Sequence, residues 1–186
     1  MNAKILITGA AGSGKSPFAR LLSAALGELS GRPWPVGECS DGLIRRAAHI
    51  QAHAPWPQAA GQEEWARYIR ARKAEYRAML LAIGDQLNAD APGKLVIETG
   101  YNADIIVGVR RESEAAALER KVARRDGECW FWIWVESADR QSDPNDRVDA
   151  EYFQKKANYS VRTISEIETL ETARDIAADI FKRLNA

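Results

Sequence analysis

A chain of 186 residues, 46% hydrophobic and 28% charged, is long enough for one globular domain with a substantial buried core. Its 26 basic residues equal its 26 acidic residues, so no net charge draws the chain to DNA or to anionic membranes. The two cysteines are far apart and indicate neither a disulfide framework nor a zinc site. Since the first residues lack the pattern of a signal peptide and no apolar run approaches ~18 residues, we expect a cytoplasmic protein without a membrane-spanning segment.

The first part of the chain predicts two strands, each followed by a helix. Residues 4–8 are a short apolar run that ends at a glycine, which is typical of a buried strand. Apolar residues then recur at helical spacing and stop at Gly27, which we expect to end the first helix. Residues 36–39 predict a weak second strand, and from Asp41 the pattern becomes helical.

The rest of the chain continues the alternation of helices and strands. Residues 62–87 predict one long amphipathic helix. Residues 94–98 have strand propensity, but the next strand is too close for a crossover helix between parallel neighbours, so we expect an irregular or helical segment. The remaining strands are predicted at residues 104–110, 129–136 and 158–164, and the remaining helices at 112–125 and 167–184. This order predicts an α/β fold with a five-stranded parallel sheet and helices on both faces.

The stretch GAAGSGKS, residues 9–16, fits the phosphate-binding pattern G-x-x-x-x-G-K-[ST] at every fixed position. A predicted strand precedes it and a predicted helix follows, so its N–H groups and the helix N-terminus can face phosphate oxygens. Lys15 is expected to act in catalysis by reaching the β- and γ-phosphates of ATP, and the Ser16 hydroxyl to bind Mg²⁺. The residues expected to bind the nucleotide are Gly9, Ala11, Gly12, Ser13, Gly14, Lys15 and Ser16.

This loop does not identify the reaction, because GTPases, motor ATPases and kinases all use it. GTPases read guanine with an N-K-x-D pattern, which this sequence lacks. Motor ATPases need a larger core. A chain of this length with five predicted strands therefore favours a small-molecule kinase.

The loop near the N-terminus, the helical segment after the second strand, and the stretches IIVGVRRESEAAALER and WIWVESADRQSDPNDR resemble phage deoxynucleoside monophosphate kinases. More broadly, they are similar to the nucleoside monophosphate kinase-like fold, over most of the chain. The resemblance implies one three-layer P-loop kinase domain over residues 1–186, with a helical acceptor-binding insert at 42–103 and a lid at 137–158. Arg140 and Arg147 of this lid are expected to bind the ATP phosphates. Such a protein would act in the cytoplasm of the host, as a monomer or a homodimer.

In kinases of this family the third strand usually ends with an aspartate, and an arginine that binds the acceptor follows. Here Gly108 stands where the acid is expected, whereas two arginines are present. The resemblance implies that Arg110, a candidate catalytic residue, and Arg111 bind the acceptor. Asp41 or Glu98 could replace the missing magnesium-shell carboxylate, and Asp41 is favoured because it follows the second strand.

The sequence leaves the phosphate acceptor open. Asp41 could accept the proton of a hydroxyl acceptor as a general base, or it could cap a helix. An acceptor phosphate needs only arginines, and Arg45 lies one turn after Asp41. The favoured acceptor is a free (deoxy)nucleoside monophosphate.

Two alternatives to that acceptor remain. Related phage kinases phosphorylate the hydroxyl of 5-hydroxymethyluracil in DNA, and the basic, tryptophan-containing stretch EEWARYIRARK would suit such a substrate. The missing acid on the third strand would suit a non-catalytic ATP-binding regulator. The favoured function and these two alternatives differ in whether the γ-phosphate of ATP is transferred at all and in which molecule receives it.

Overall fold

The computed structural model describes residues 3–53, 61–122, 129–138, 148–163 and 165–186. Within these ranges the chain forms five strands and eight helices, and no helix there combines the length and hydrophobicity needed to cross a membrane. In chain order the elements are β1 (Ala3–Thr8), α1 (Lys15–Ser30), β2 (Val36–Glu38), α2 (Cys39–Ala52), α3 (Gln62–Ala71), α4 (Arg77–Asp90), α5 (Lys94–Asn102), β3 (Ile105–Val107), α6 (Glu112–Val122), β4 (Cys129–Ser137), α7 (Ala150–Lys156), β5 (Tyr159–Thr163) and α8 (Glu166–Leu184).

The strands form one sheet in the order β2-β3-β1-β4-β5, and every neighbouring pair is parallel. Ile5 of β1 is in register with Ile105 of β3 on one side and with Phe131 of β4 on the other. Because all strands run in the same direction, the segments that follow β1, β2 and β3 meet at one edge of the sheet. The predicted α/β fold is confirmed, and it is consistent with a three-layer P-loop-like fold.

The side chains of β1 alternate between two hydrophobic clusters, one on each face of the sheet. Helices therefore cover both faces. Ile5 and Ile7 belong to a cluster that α1 and α8 complete, whereas Leu6 belongs to a second cluster with residues of α5, α6 and α7. All six residues of β1 are buried, as expected of a central parallel strand. A third cluster, which joins α2, α3 and α4, extends the molecule beyond these layers.

The first helix does not end at Gly27, so this prediction is wrong: α1 continues to Ser30. Gly31 ends the helix in the left-handed conformation, and its N–H donates to the Gly27 carbonyl (2.9 Å). A glycine inside a helix costs only about 1 kcal/mol relative to alanine. The packing of α1 on the sheet outweighs that cost, so Gly27 does not stop the helix.

The single helix predicted over residues 62–87 is divided into α3 and α4 by a turn at residues 72–76. Ile69 of α3 and Leu80 of α4 pack in the same cluster as Ile44 of α2. In one straight helix Ile69 and Leu80 would be about 16 Å apart along the axis. The turn brings both onto α2, and an edge-to-face contact between the rings of Tyr68 and Tyr76 (6.1 Å between centroids) stabilises it.

Residues 94–98 begin α5, which confirms the expectation that they are irregular or helical. The end of this helix is attached to the sheet by Lys4 of β1. Lys4 Nζ donates to the carbonyls of Gly100 (3.0 Å) and Ala103 (2.7 Å), and the residue is only 9% exposed. A buried ammonium group is stable here because the carbonyls at the end of the helix and the Asp104 carboxylate (3.7 Å from Lys4 Nζ) favour a cation.

Candidate functional site

The loop at residues 9–14 connects β1 to α1 and packs closely on the carboxyl edge of the sheet. Gly9 has a φ of 142°, and a Cβ added to it would lie 2.0 Å from the Val135 carbonyl oxygen of β4. Glycine is therefore required where the chain turns past β4. On the other side of the loop, the Thr163 hydroxyl of β5 donates to the Ser13 carbonyl (3.1 Å). Contacts with two strands thus fix the position of the loop.

The first turn of α1 continues directly from this loop. Gly14 precedes the helix with a φ of 83° and has no side chain that could accept from the first helical N–H groups. The N-terminus of a helix has a partial positive charge, and N–H groups arranged in this way bind phosphate oxygens. Pro17, which has no N–H group, lies in this first turn and breaks no helical hydrogen bond there.

Lys15 Nζ lies over the loop. It donates to the carbonyls of Gly9 (2.8 Å) and Ala10 and to the Ser13 hydroxyl (3.3 Å). A phosphate in the loop could exchange places with these neutral oxygens, because a charged acceptor makes a stronger hydrogen bond to ammonium than a carbonyl does. The loop, the helix N-terminus and this lysine together have the chemistry of an anion site.

A cavity of about 540 Å³ begins at this loop and continues under the helices between β2 and β3. Its volume lies within the range typical of small-ligand sites. The loop end is formed by Ala11, Gly12, Gly14, Lys15, Ser16 and Pro17. The far end is formed by residues of α4, of α5 and of the turn before α6, among them Leu80, Leu81, Leu87, Leu95 and Val96. The cavity therefore connects the loop with a largely apolar compartment in the helical segment.

The charged residues that line this cavity favour an anionic ligand. Its cations are Lys15, Lys73, Arg77, Arg110 and Arg111, and its carboxylates are Glu38, Asp85 and Glu114. Two of these carboxylates already have strong partners, since Asp85 pairs with Arg111 and Glu114 accepts backbone N–H groups. The remaining positive charge would attract phosphate groups along the length of the cavity.

Glu38 is a candidate site residue that the sequence analysis missed. It is the last residue of β2, and it lines the cavity together with Lys15 and Ser16. The Ser40 hydroxyl donates to Glu38 Oε2 (3.4 Å), and Arg20 Nη2 lies 3.8 Å from Glu38 Oε1. Its position at the carboxyl end of a parallel strand could have indicated its role, because ligands bind at that edge.

Glu38 also affects the charge of a lysine at the mouth of the cavity. Lys73 is exposed, but the surrounding protein removes part of the water around its ammonium group, and this desolvation lowers its pKa. The negative charge of the Glu38 carboxylate opposes this effect. Arg110 adds to the lowering, and Asp41 opposes it as Glu38 does. Glu38, Lys73 and Arg110 all line the cavity.

The structure does not bring Asp41 into the cavity. Asp41 lies in the first turn of α2, and its Oδ1 accepts from Arg70 Nη2 (3.0 Å). The idea that it caps the helix is wrong, because Glu38 holds the capping position. The other predicted carboxylate, Glu98, lies on α5 and pairs with Arg46 (3.3 Å) instead of facing the loop.

Of the three predicted acceptor arginines, two line the cavity. Arg110 and Arg111 do so at the turn before α6. Arg45 is exposed on α2 and is not among the described residues that line the cavity. The predicted lid arginines, Arg140 and Arg147, lie outside the described residues.

The residues that could hold magnesium are Ser16 and Glu38, which both line the cavity. Among the described residues no group of three or more His, Cys, Asp or Glu side chains could hold a metal ion. Two protein oxygens nevertheless suit Mg²⁺, which usually keeps several water molecules and takes other ligands from the phosphates of its substrate. Ser16 and Glu38 are therefore the candidate magnesium ligands of the cavity.

No protein-family model matches the chain. No curated protein matches it either. Function must therefore be inferred from the loop, the cavity and their charges.

Proposed function

We propose that this protein is an ATP-dependent kinase that transfers the γ-phosphate of ATP to a nucleotide, preferably a (deoxy)nucleoside monophosphate. The observation that supports this proposal is the continuous cavity between the phosphate-binding loop and the arginines before α6. A nucleotide-binding regulator would need the loop, but it would not need a second compartment with arginines that could bind another phosphate. A kinase needs both, because donor and acceptor phosphates must lie side by side.

In this proposal the loop N–H groups and Lys15 bind the β- and γ-phosphates of ATP. Ser16 and Glu38 would hold Mg²⁺, which supplies positive charge to the phosphates being separated. Arg110, together with Arg77 and Lys73 on the cavity wall, would bind the acceptor phosphate. One acceptor oxygen forms a bond to the γ-phosphorus while the bond to the ADP oxygen breaks, and the cations stabilise the charge on the transferred group.

The proposal is tested by incubating the protein with Mg²⁺ and γ-labelled ATP and a panel of acceptors. The panel contains nucleoside monophosphates, deoxynucleoside monophosphates, ordinary DNA and DNA that contains 5-hydroxymethyluracil. We expect label in a monophosphate, and we expect Lys15→Ala to retain less than about a tenth of the wild-type rate. The matched control is Lys182→Ala, which removes an exposed lysine from α8.

Two results of this experiment would contradict the proposal. If ATP binds tightly but no acceptor increases ADP release, the protein is a binding regulator. If Lys15→Ala transfers label as fast as Lys182→Ala, the loop does not hold the reacting phosphate. Circular dichroism of both variants checks that the fold is retained.

A second acceptor, the hydroxyl of 5-hydroxymethyluracil in DNA, is supported by the position of Glu38. A hydroxyl must lose a proton as it attacks, and a carboxylate beside the loop could accept it. Glu38→Gln should then reduce transfer to hydroxymethylated DNA about 10²-fold or more. For a monophosphate acceptor, which is already ionised, transfer should fall much less at saturating Mg²⁺.

A further inference from the structure

Two polar bridges connect helix α4 to the turn before α6 and to the first turn of α6. Asp85 and Asn88, one helical turn apart on α4, provide one side of each bridge. Arg111 Nη2 donates to Asp85 Oδ1, and Asn88 Nδ2 donates to Glu114 Oε1 (2.7 Å). All four residues line the cavity, so both bridges form part of its wall.

Glu114 fixes the turn from which both arginines extend. Glu114 is 8% exposed, and its Oε2 accepts from the backbone N–H groups of Arg110 (2.8 Å) and Arg111 (3.1 Å). A buried carboxylate with these donors is satisfied without a ligand. The backbone of both arginines is thus held in one position, and their side chains decide what each contacts.

The Asp85–Arg111 pair is partly shielded from water, since its side chains are 36% and 32% exposed. If Arg111 contacted an acceptor phosphate, its guanidinium would have to be shared between that phosphate and the Asp85 carboxylate. The Asp85 carboxylate would then face another anion in the same cavity, and like charges at short range repel. With Asp85 beside it, Arg111 is therefore poorly suited to bind an acceptor phosphate directly.

Helix α4 depends on such bridges because little of it is buried in the hydrophobic core. Leu80 is its buried residue, and it lies in the first half of the helix. Asp85 and Asn88 lie in the second half, where the helix passes over the cavity. Polar contacts at these positions would therefore determine how closely the second half of α4 approaches α6.

We propose that Arg111 is a positioning residue that, through Asp85, clamps the second half of α4 over the cavity and does not bind the acceptor. The clamp shapes the acceptor compartment. This inference rests on the proposed kinase function for its effect on the acceptor, whereas the clamp itself can be tested without catalysis.

The first test replaces Asp85 with asparagine and uses Asp90→Asn as the matched control. Asp90 lies on the same helix and accepts from Gln86 Nε2 (2.9 Å) at an exposed site. Hydrogen exchange is measured without nucleotides, and the kinetic constants with ATP and the acceptor. We expect Asp85→Asn to speed exchange in the second half of α4 about tenfold and to raise the acceptor KM by a similar factor with little change in the ATP KM. Asp90→Asn should change neither quantity, and unchanged exchange in Asp85→Asn would overturn the clamp.

The second test separates a clamp from a direct contact by reversing the charges. Arg111→Asp alone should raise the acceptor KM, and the double variant Asp85→Arg, Arg111→Asp should recover most of that loss and the slow exchange of α4. If the double variant recovers slow exchange but not the acceptor KM, Arg111 binds the acceptor and the inference fails. If Asp85→Asn has no effect on exchange, the inference fails irrespective of the double variant.

A failure of the kinase proposal gives a different pattern. In that case the wild-type protein transfers no phosphate, while exchange in Asp85→Asn and in the double variant still decides whether the clamp exists. The two proposals can thus fail separately.

Discussion

Replacing Gly9 with alanine should destabilise the protein through the contact between the loop and β4. Gly9 has a φ of 142°, a conformation that costs a residue with a side chain about 1–3 kcal/mol. The new Cβ would also lie 2.0 Å from the Val135 carbonyl oxygen, where ordinary contact needs about 3.4 Å. Relieving this clash by a shift of more than about 1 Å costs a further 1–3 kcal/mol. The expected total is about 2–6 kcal/mol, a large part of a typical stability of about 5–15 kcal/mol.

The matched control is Gly31→Ala. Gly31 also has a positive φ, of 68°, but a Cβ there would have no atom within 4 Å. We expect a loss of about 1 kcal/mol for this variant. For a chain of this length 1 kcal/mol lowers the melting temperature by about 2–4 °C, so Gly9→Ala should melt at least about twice as far below the wild type as Gly31→Ala.

The measurement is urea unfolding and thermal melting of both variants beside the wild type. Equal destabilisation of the two variants would refute the close approach of the loop to β4. The phosphate-binding geometry would then lose its structural basis, since the position of the loop depends on this contact. A large loss for Gly9→Ala with a small loss for Gly31→Ala would support it.

Three further predictions concern charges and hydrogen bonds away from the loop. Lys4→Met should cost about 2–3 kcal/mol in urea unfolding, because it leaves two carbonyls at the end of α5 without their donor; a loss below about 1 kcal/mol would contradict this. Burial raises the pKa of Cys39 to about 12, so iodoacetamide at neutral pH should modify this thiol at least about 10²-fold more slowly in the folded protein than in urea. The Tyr159 hydroxyl donates to Asp179 (2.7 Å) and lowers the pKa of this carboxyl, so the ionised form stabilises the fold above the unfolded pKa and loses this effect as the pH falls through the folded pKa. Tyr159→Phe should therefore lower the melting temperature at neutral pH and have less effect in strong acid, whereas a pH-independent difference would argue against the interaction.

The parts of the molecule that the sequence predicts correctly are set by neighbouring residues. The strand before the loop, the turn and the helix after it follow from one apolar run, three glycines and a helical repeat. Residues 94–98 have strand propensity, but the next strand is too close for a crossover helix, which predicts an irregular or helical segment. In the structure these residues are helical. Chain length between elements decided this case better than propensity did.

The errors occur where a distant part of the chain determines the outcome. Packing of α1 on the sheet carries the helix past Gly27. The separation of α3 from α4 depends on both helices burying residues against α2, and an amphipathic pattern alone does not reveal this. Hydrophobic periodicity shows which face of a segment is buried, but it does not show against which partner.

The incorrect prediction that Asp41 lies at the site has the same cause. The sequence favours Asp41 because it follows β2, but the first turn of α2 directs it to Arg70 instead. One turn of helix separates Glu38, which lines the cavity, from Asp41, which pairs with Arg70, and strand ends predicted to within a few residues do not resolve that difference. Glu38, three residues earlier, lines the cavity instead.

The position of Glu38 also bears on how the acceptor could be distinguished. In the sheet order, β3 separates β2 from β1, so Glu38 approaches the loop from the side of the helical segment. Gly108, at the end of β3, contributes only backbone to the cavity wall between them. A carboxylate on this side would act on an acceptor phosphate only through a metal ion, whereas it would assist an acceptor hydroxyl directly by accepting its proton. Loss of this carboxylate would thus affect one acceptor much more than the other, which is why Glu38→Gln distinguishes the two substrates.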